Sequence, residues 1–124
     1  MGSAPTILIV EDDWMIADHL KVVLEGLGYS VCGLAASADE AVKLAREQQP
    51  AAILMDVRLS GTRDGIDAAI EIRGLTPAPV VFVTGSSDNQ TLARIRASGP
   101  ATVLFKPLRR GELKEALARI CPLR

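Results

Sequence analysis

The sequence predicts an α/β domain, a doubly wound sheet of five parallel strands with five helices packed on its two faces. Five short apolar runs recur along the 124 residues, at 6–10, 30–35, 51–55, 79–83 and 101–105. Four of these runs are almost continuously apolar, which is typical of strands covered on both faces. A segment with helical periodicity follows each run. Because crossovers between parallel strands are right-handed, this alternation predicts helices on both sides of the sheet.

The helical segments carry their own start and stop signals. Gly28 follows the first helix at the position of a C-cap, where a left-handed residue is common. The second and fourth helices begin with capping-box patterns, SADE at 37–40 and SDNQ at 87–90. Apolar stripes at helical spacing mark the first and last helices. Their members are Ile16, Leu20, Val23, Leu24 and Leu27 in the first helix, and Leu113, Ala116, Leu117 and Ile120 in the last.

Composition indicates a single domain, which we expect over 6–122 after an N-terminal tail over 1–5. With 48% hydrophobic residues, 23% charged residues and a net charge of −1, the chain can bury a core and offers no basic surface to nucleic acid or an anionic membrane. No apolar run is long enough to span a membrane, and the first residues do not resemble a secretory signal. Cys32 and Cys121 are expected as buried or half-buried free thiols in a reducing cytoplasm.

Acidic residues follow two of the predicted strands. Glu11 and Asp12 come after the first strand, and Asp56 ends the third. The carboxyl ends of parallel strands meet at one edge, and like charges placed so close disfavour ionisation unless a cation intervenes. Mg²⁺ prefers such oxygen ligands and shares a substrate phosphate. We therefore predict Asp12 and Asp56 as direct ligands, Glu11 as a ligand through water, and the backbone carbonyl of Arg58 as a further ligand. Simple capping of the first helix is the role expected for Asp13.

A hydroxyl and an ammonium group end the fourth and fifth predicted strands. Thr84 is followed by Gly85, which leaves space for a ligand, and Lys106 is followed by Pro107, whose peptide bond can be cis. An acceptor carboxylate, a divalent metal, a hydroxyl and an ammonium group together indicate phosphoryl transfer. In that chemistry Asp56 attacks phosphorus to form an aspartyl phosphate. Lys106 and Thr84 would then bind the new phosphate oxygens.

In these residues the sequence resembles the receiver domain of two-component response regulators, over essentially the whole chain. The matching stretches are ILIVEDD, ILMDVRLSGTRDG, VVFVTG and FKP. The resemblance implies a CheY-like, flavodoxin-like sheet with strand order 2-1-3-4-5. It also implies that Asp56 accepts a phosphoryl group from a phosphohistidine of a sensor histidine kinase, with Mg²⁺ (or Mn²⁺) as cofactor.

The resemblance further implies a change of shape after phosphorylation. Thr84 would move toward the phosphate and Lys106 would pair with it. The face formed by the fourth helix, fifth strand and fifth helix would then change its binding to a downstream protein or phosphotransfer protein. On this interpretation the chain is a signalling domain and not an enzyme.

Three features depart from the common receiver pattern. Val103 stands three positions before Lys106, where most receivers have Tyr or Phe, so the usual aromatic switch is absent. The loop from Asp56 to Gly65 is one residue longer than the common pattern. The fourth strand reads FVTGSS, which together with the missing aromatic resembles the FATGUY subgroup of receivers. That subgroup is associated with kinases of the HWE or related types.

Several alternatives stay open. A haloacid-dehalogenase-like phosphatase would need a second aspartate where Arg58 stands. A flavodoxin-like electron carrier would need a phosphate cradle after the first strand, where three acidic residues stand instead. A degenerate receiver used only for binding is disfavoured because Asp56, Thr84 and Lys106 are all present.

Within the receiver interpretation, the chain is either a switch for a partner or a phosphate sink in a relay. It ends shortly after Lys106, with space for one more helix, so we expect a stand-alone receiver or one cut from a longer protein. We expect a monomer or weak dimer in the cytoplasm. The single histidine, His19, is expected on the surface of the first helix, so the chain is the phosphoryl acceptor and not the kinase.

Overall fold

The fold alternates strands and helices from one end of the chain to the other. The computed structural model describes residues 4–123, and within them one parallel sheet has the strand order β2-β1-β3-β4-β5. The predicted α/β class, strand order and number of elements are confirmed. The elements are β1 Thr6–Val10, α1 Trp14–Leu27, β2 Ser30–Ala35, α2 Ala38–Gln48, β3 Ala52–Asp56, α3 Gly65–Ile72, β4 Val80–Thr84, α4 Asn89–Ala97, β5 Thr102–Phe105 and α5 Arg110–Ile120.

Strand pairing brings the ends of the central strands to one edge of the sheet. Each observed strand lies within one residue of its predicted run. β3 and β4 each extend to the polar residue that follows the apolar run, so that Asp56 pairs with Val83 and Thr84 pairs with Phe105. The polar residues predicted to act together therefore share the carboxyl edge.

Two apolar layers cover the sheet, one on each face. Successive side chains of a strand point to opposite faces; in β1, Leu8 packs toward α2 and α3, and Ile9 packs toward α1 and α5. Both residues are fully buried, as is Phe82 in β4. The core is otherwise built mostly from aliphatic residues and alanine, as the low aromatic content predicts.

The fifth strand departs from the prediction that its continuous apolar run is covered on both faces. β5 lies at the edge of the sheet, its residues are only half-buried, and Phe105 is 46% exposed. The apolar pattern of a short run does not distinguish an edge strand from a central one, because position in the sheet is decided by pairing.

The helix caps agree with the sequence at α1, agree in part at α2 and differ at α4. Gly28 caps α1 in the left-handed conformation, with φ of 105°. Ser37 caps α2 by accepting from the N–H of Glu40, but the Glu40 carboxylate accepts from the N–H of Ala36 at 2.8 Å and not from that of Ser37, so only half of the predicted capping box forms. At α4 the predicted capping box with Ser87 as N-cap is wrong. Asp88 is the N-cap there, because its carboxylate is the stronger acceptor for backbone N–H groups at a helix start.

The predicted stripes of α1 and α5 face the core, with one exception. Ile16, in the first turn of α1, is 39% exposed and lines a groove at the carboxyl edge beside Leu20 and Leu108. His19 is exposed, and Cys32 and Cys121 are free thiols, half-buried and buried, as predicted. Among residues 4–123, no helix is both long enough and apolar enough to cross a membrane.

A buried hydroxyl joins the start of β2 to the end of α5. The Tyr29 hydroxyl donates to the Cys121 carbonyl at 3.0 Å, and the tyrosine is 5% exposed. Tyr29→Phe keeps the ring but removes the donor, so we expect a loss of about 1 kcal/mol in the free energy of unfolding. That loss corresponds to a melting temperature lower by about 4 °C. Ser30→Ala, at an exposed neighbouring hydroxyl, is the control, and equal melting temperatures for the two variants would contradict the expectation.

Candidate functional site

Three carboxylates meet at the carboxyl edge of the sheet. Glu11 follows β1 and Asp56 ends β3, and both are buried, whereas Asp12 is exposed. One oxygen of each residue lies within 4.8 Å of an oxygen of the other two. The structure thus brings together the three side chains that the sequence proposes as metal ligands. Hard oxygen donors of this kind, with one of them open to solvent, fit a Mg²⁺ ion that keeps several of its waters.

Lys106 lies directly against the carboxylates. Its Nζ is 2.8 Å from Asp56 Oδ2 and 3.4 Å from Glu11 Oε1. Its peptide bond to Pro107 is cis. Burial lowers the pKa of Lys106, but the hydrogen bond and charge of Asp56 outweigh it, with help from Glu11, so the pKa is raised above its usual value. Lys106 is therefore an ammonium group at neutral pH, and it holds one oxygen of Asp56.

The pKa of Glu11 is raised to about 7 at this edge of the sheet. Burial is the largest cause, and the neighbouring Asp56 carboxylate raises the pKa further. The N–H of Asp13, which donates to Glu11 Oε2 at 3.1 Å, and the charge of Lys106 act in the opposite direction. A divalent cation at this place would favour the charged form of Glu11, since opposite charge stabilises ionisation.

A cleft of about 230 Å³ opens beside Asp56, which is ample for a phosphoryl group. Thr84 is 1% exposed at its wall, and its Oγ1 accepts from the N–H of Ser86 at 3.0 Å. The hydroxyl can still donate its own proton to an anion in the cleft. Asp56 Oδ1 accepts from the N–H of Arg58 at 3.3 Å, and Asp56 Oδ2 accepts from Lys106 Nζ. Each carboxylate oxygen of Asp56 therefore has one hydrogen-bond donor. The cleft is lined by Asp56, Arg58, Thr84, Gly85, Ser86 and Lys106.

The loop between Asp56 and Gly65 is bound to α2 and α3. The N–H of Ser60 donates to the Ala36 carbonyl at 3.2 Å, beside an isolated bridge to the start of α2. Arg63 contacts Asp39 of α2 at 2.9 Å and Glu71 of α3 at 2.6 Å. These contacts to α2 and α3 fix the position of the loop beside the cleft.

From the sequence Gly65 only marks the end of the loop after Asp56, but in the structure Gly65 packs against Asp56. Its N–H donates to the Val57 carbonyl at 2.7 Å, and a Cβ at this position would overlap the Asp56 carbonyl oxygen. Asp64 caps α3 and forms a reciprocal capping box with Asp67. The spacing of these two aspartates was the available signal, but it differs from the common Ser/Thr to Glu/Gln pattern.

Comparison with known proteins identifies the family. The family model of the response regulator receiver domain matches residues 7–118, and the chain belongs to this family. It is thus a receiver domain of the two-component response regulator type, a signalling domain with a CheY-like fold. Receiver domains bind Mg²⁺ at an acidic site, and this chain has an acidic cluster of Glu11, Asp12 and Asp56 that could hold a metal ion. The family assignment disfavours the phosphatase and electron-carrier alternatives. Assignment to the FATGUY subgroup stays a prediction.

Two curated relatives are similar to this chain over most of its length. The transcriptional regulatory protein PdtaR of Mycobacterium tuberculosis is 38% identical over 111 residues, which cover 90% of this chain and 54% of that protein. The phyllosphere-induced regulator PhyR of Methylorubrum extorquens is 34% identical over 117 residues, covering 94% of this chain and 43% of that protein. The chain thus spans about half the length of these relatives.

Solved structures agree with the fold and include one with a metal ion. The receiver domain of a modulated diguanylate cyclase from Desulfovibrio desulfuricans has a TM-score of 0.89 at 33% identity, covering 95% of this chain and 94% of that one. The receiver domain of a sensor histidine kinase from Pseudomonas aeruginosa has a TM-score of 0.85 at 33% identity, covering 95% and 98%. The latter structure holds a magnesium ion coordinated in its active site cleft.

Proposed function

We propose that this chain accepts a phosphoryl group on Asp56 from the phosphohistidine of a sensor histidine kinase, in a reaction that requires Mg²⁺. The observation that carries the proposal is the position of the Asp56 carboxylate. It lies 2.8 Å from Lys106 Nζ, within 4.8 Å of two further carboxylates, and at the wall of a cleft of phosphoryl size. No structural role of a strand end requires this combination of groups.

The chain's own residues supply the acceptor and its surroundings. A carboxylate oxygen of Asp56 attacks phosphorus, the phosphorus–nitrogen bond to the donor breaks, and the donor imidazole leaves with the electron pair and takes up a proton. Lys106 holds Asp56 Oδ2 in place before transfer, and afterwards can pair with a phosphoryl oxygen. The Thr84 hydroxyl can donate to another oxygen of the product. When bound, Mg²⁺ supplies positive charge to the transferring oxygens.

The metal ligands follow from the same arrangement. We infer that Asp12 and Asp56 bind Mg²⁺ directly, that Glu11 binds it through water, and that the Arg58 backbone carbonyl is a further ligand. The donor set supports this inference, since Mg²⁺ takes few protein carboxylates and keeps its remaining places for water and phosphate.

Phosphorylation is proposed to change the surface formed by α4, β5 and α5. Phe105 of β5 is 46% exposed and Val103 is half-buried, so this surface offers apolar contacts to a downstream protein or phosphotransfer protein. Use as a phosphate sink in a relay is the second candidate and needs the same chemistry at Asp56. An HWE-type kinase partner, a monomeric or weakly dimeric state, a role without enzymatic turnover and a cytoplasmic location stay predictions from the sequence.

The test is direct phosphorylation by a small donor. With Mg²⁺ and acetyl phosphate, we expect the intact mass of the chain to show a single labile phosphoryl adduct that EDTA prevents from forming. Asp12→Asn removes one proposed ligand from an exposed position, so the Mg²⁺ concentration for half-maximal labelling should rise by about tenfold or more. If neither acetyl phosphate nor a phosphorylated histidine kinase labels the wild-type chain, the proposed function is wrong.

A further inference from the structure

Helix α4 has few apolar contacts to hold it in place. Ile95 is its one buried residue within residues 4–123, and Leu92 packs partly against the same core. The other side chains of the helix are half-buried or exposed. The position of α4 on the domain therefore depends strongly on its polar contacts.

Two arginines join α4 to α3: Arg73 donates to the Ser98 carbonyl at the end of α4 at 3.0 Å, and Arg94 makes the larger set of contacts. Its Nη1 lies 2.8 Å from Asp64 Oδ2, and its Nη2 lies 3.3 Å from both Asp64 Oδ1 and Asp67 Oδ1. The planar guanidinium matches a carboxylate through two parallel hydrogen bonds. Burial raises the pKa of Asp64, but Arg94 and the capping N–H of Asp67 outweigh it and hold this pKa below its usual value. Arg94 thus joins α4 to the first turn of α3.

The first turn of α3 in turn touches the acceptor residue. Asp64 is the N-cap of α3, and the next residue, Gly65, donates its N–H to the Val57 carbonyl at 2.7 Å. Gly65 packs so closely on the Asp56 carbonyl that a Cβ would not fit. A continuous series of contacts therefore runs from Arg94 through Asp64 and Gly65 to the backbone of Asp56.

We propose that Arg94 is a positioning residue, whose ion pair with Asp64 and Asp67 holds the first turn of α3 against Asp56 and links the position of α4 to the state of Asp56. The proposal rests on the proposed function, because it requires Asp56 to gain a phosphoryl group. The cleft that receives this group lies between the loop after β3 and the segment that leads into α4. New contacts to the phosphoryl oxygens act on both segments, and Arg94 makes the two move together. Such a link is reciprocal, so a change at α4 also affects the site.

The size of the effect follows from the exposure of the pair. The side chains of Arg94 and Asp64 are 49% and 29% exposed, and ion pairs near the surface contribute little to stability in general. The paired hydrogen bonds and the second carboxylate place this contact at the upper end of that range. We expect its removal to change local equilibria by about two- to fivefold.

The experiment compares Arg94→Gln and Asp64→Asn with Arg96→Gln. Asparagine still caps a helix, so Asp64→Asn removes the charge and keeps the cap. Arg96 is exposed, lies on the same helix and has no ion pair within residues 4–123, which makes Arg96→Gln the matched control. Hydrogen exchange of the α4 amides is measured for each variant alone and with Mg²⁺ and beryllofluoride, a phosphoryl mimic. The rate of labelling by acetyl phosphate is measured in parallel.

In the absence of beryllofluoride, we expect the α4 amides of Arg94→Gln and Asp64→Asn to exchange about two- to fivefold faster than those of the wild type. Beryllofluoride should change α4 exchange in the wild type and in Arg96→Gln, but far less in the two pair variants. The labelling rates of Arg94→Gln and Asp64→Asn should fall by a similar factor. Arg94→Lys keeps the positive charge, so this variant should recover part of the lost labelling rate.

The proposal is overturned if Arg94→Gln matches Arg96→Gln in α4 exchange, or if its response to beryllofluoride equals that of the wild type. A wild-type chain that takes up no phosphoryl group overturns the proposed function instead. Intact mass reports that failure separately from hydrogen exchange.

Discussion

Replacing Asp56 by Asn is expected to abolish the phosphoryl adduct completely. The amide nitrogen and the uncharged amide oxygen are not nucleophiles toward phosphorus, whereas the carboxylate oxygen is. The change is nearly isosteric, and the amide oxygen can still accept from Arg58 N–H or Lys106 Nζ as the carboxylate does. The loss of labelling should therefore come without loss of the fold. Intact mass after treatment with Mg²⁺ and acetyl phosphate is the measurement.

Thermal unfolding separates this chemical effect from a structural one. Asp56 is one cause of the raised pKa of Glu11, after burial, so removing its charge relieves repulsion between two neighbouring carboxylates. Lys106 keeps Glu11 as a partner at 3.4 Å. We therefore expect Asp56→Asn to melt no lower than the wild type in EDTA. Asp18→Asn, at an exposed carboxylate of α1, should label normally, and an undiminished adduct in Asp56→Asn would place the phosphoryl group elsewhere.

Gly65→Ala is expected to cause the largest loss of stability among single methyl additions to this domain. The added Cβ would overlap the Asp56 carbonyl oxygen and approach the Met55 side chain, so either the end of β3 or the start of α3 must move. Overpacking of this kind costs about 3 kcal/mol. The same displacement moves Asp56 and its neighbours out of place, so labelling by acetyl phosphate should also fall sharply. Urea unfolding and intact mass measure the two effects.

Gly111→Ala is the matched control, with an effect of opposite sign. Gly111 lies in the first turn of α5, and a Cβ there meets nothing within 4 Å. Alanine favours a helix over glycine, so the free energy of unfolding should rise by about 0.5 kcal/mol. If the two substitutions shift the urea midpoint in the same direction, close packing on Asp56 is not the reason that position 65 requires glycine.

Much of the candidate site could be predicted from the sequence, because it consists of polar residues that directly follow apolar runs. Once parallel pairing is inferred, the ends of the strands must meet, and Glu11, Asp56, Thr84 and Lys106 are brought together whatever the loops do. The structure places all four at one edge, with Lys106 in contact with both Asp56 and Glu11. Their chemical roles stay predictions until labelling is measured.

The contacts around the site were less accessible to sequence reasoning. Arg94 and Asp64 are 30 positions apart, and nothing in the local pattern of either residue indicates the other. Arg63 likewise joins Asp39 and Glu71 across two helices. A charged residue on an exposed helix face has many possible partners, and only the packing angles of the helices select one.

By itself the sequence determined the α/β class, the number of elements, the strand boundaries to within one residue, and the polar groups at the carboxyl edge. These properties depend on the periodicity and local order of residues along the chain, which can be read directly from the sequence. The tertiary structure alone decided that β5 is only half-buried, that Gly65 packs on Asp56, and that Arg94 pairs with Asp64. These features depend on how separate elements approach one another, and that approach results from the packing of the whole core.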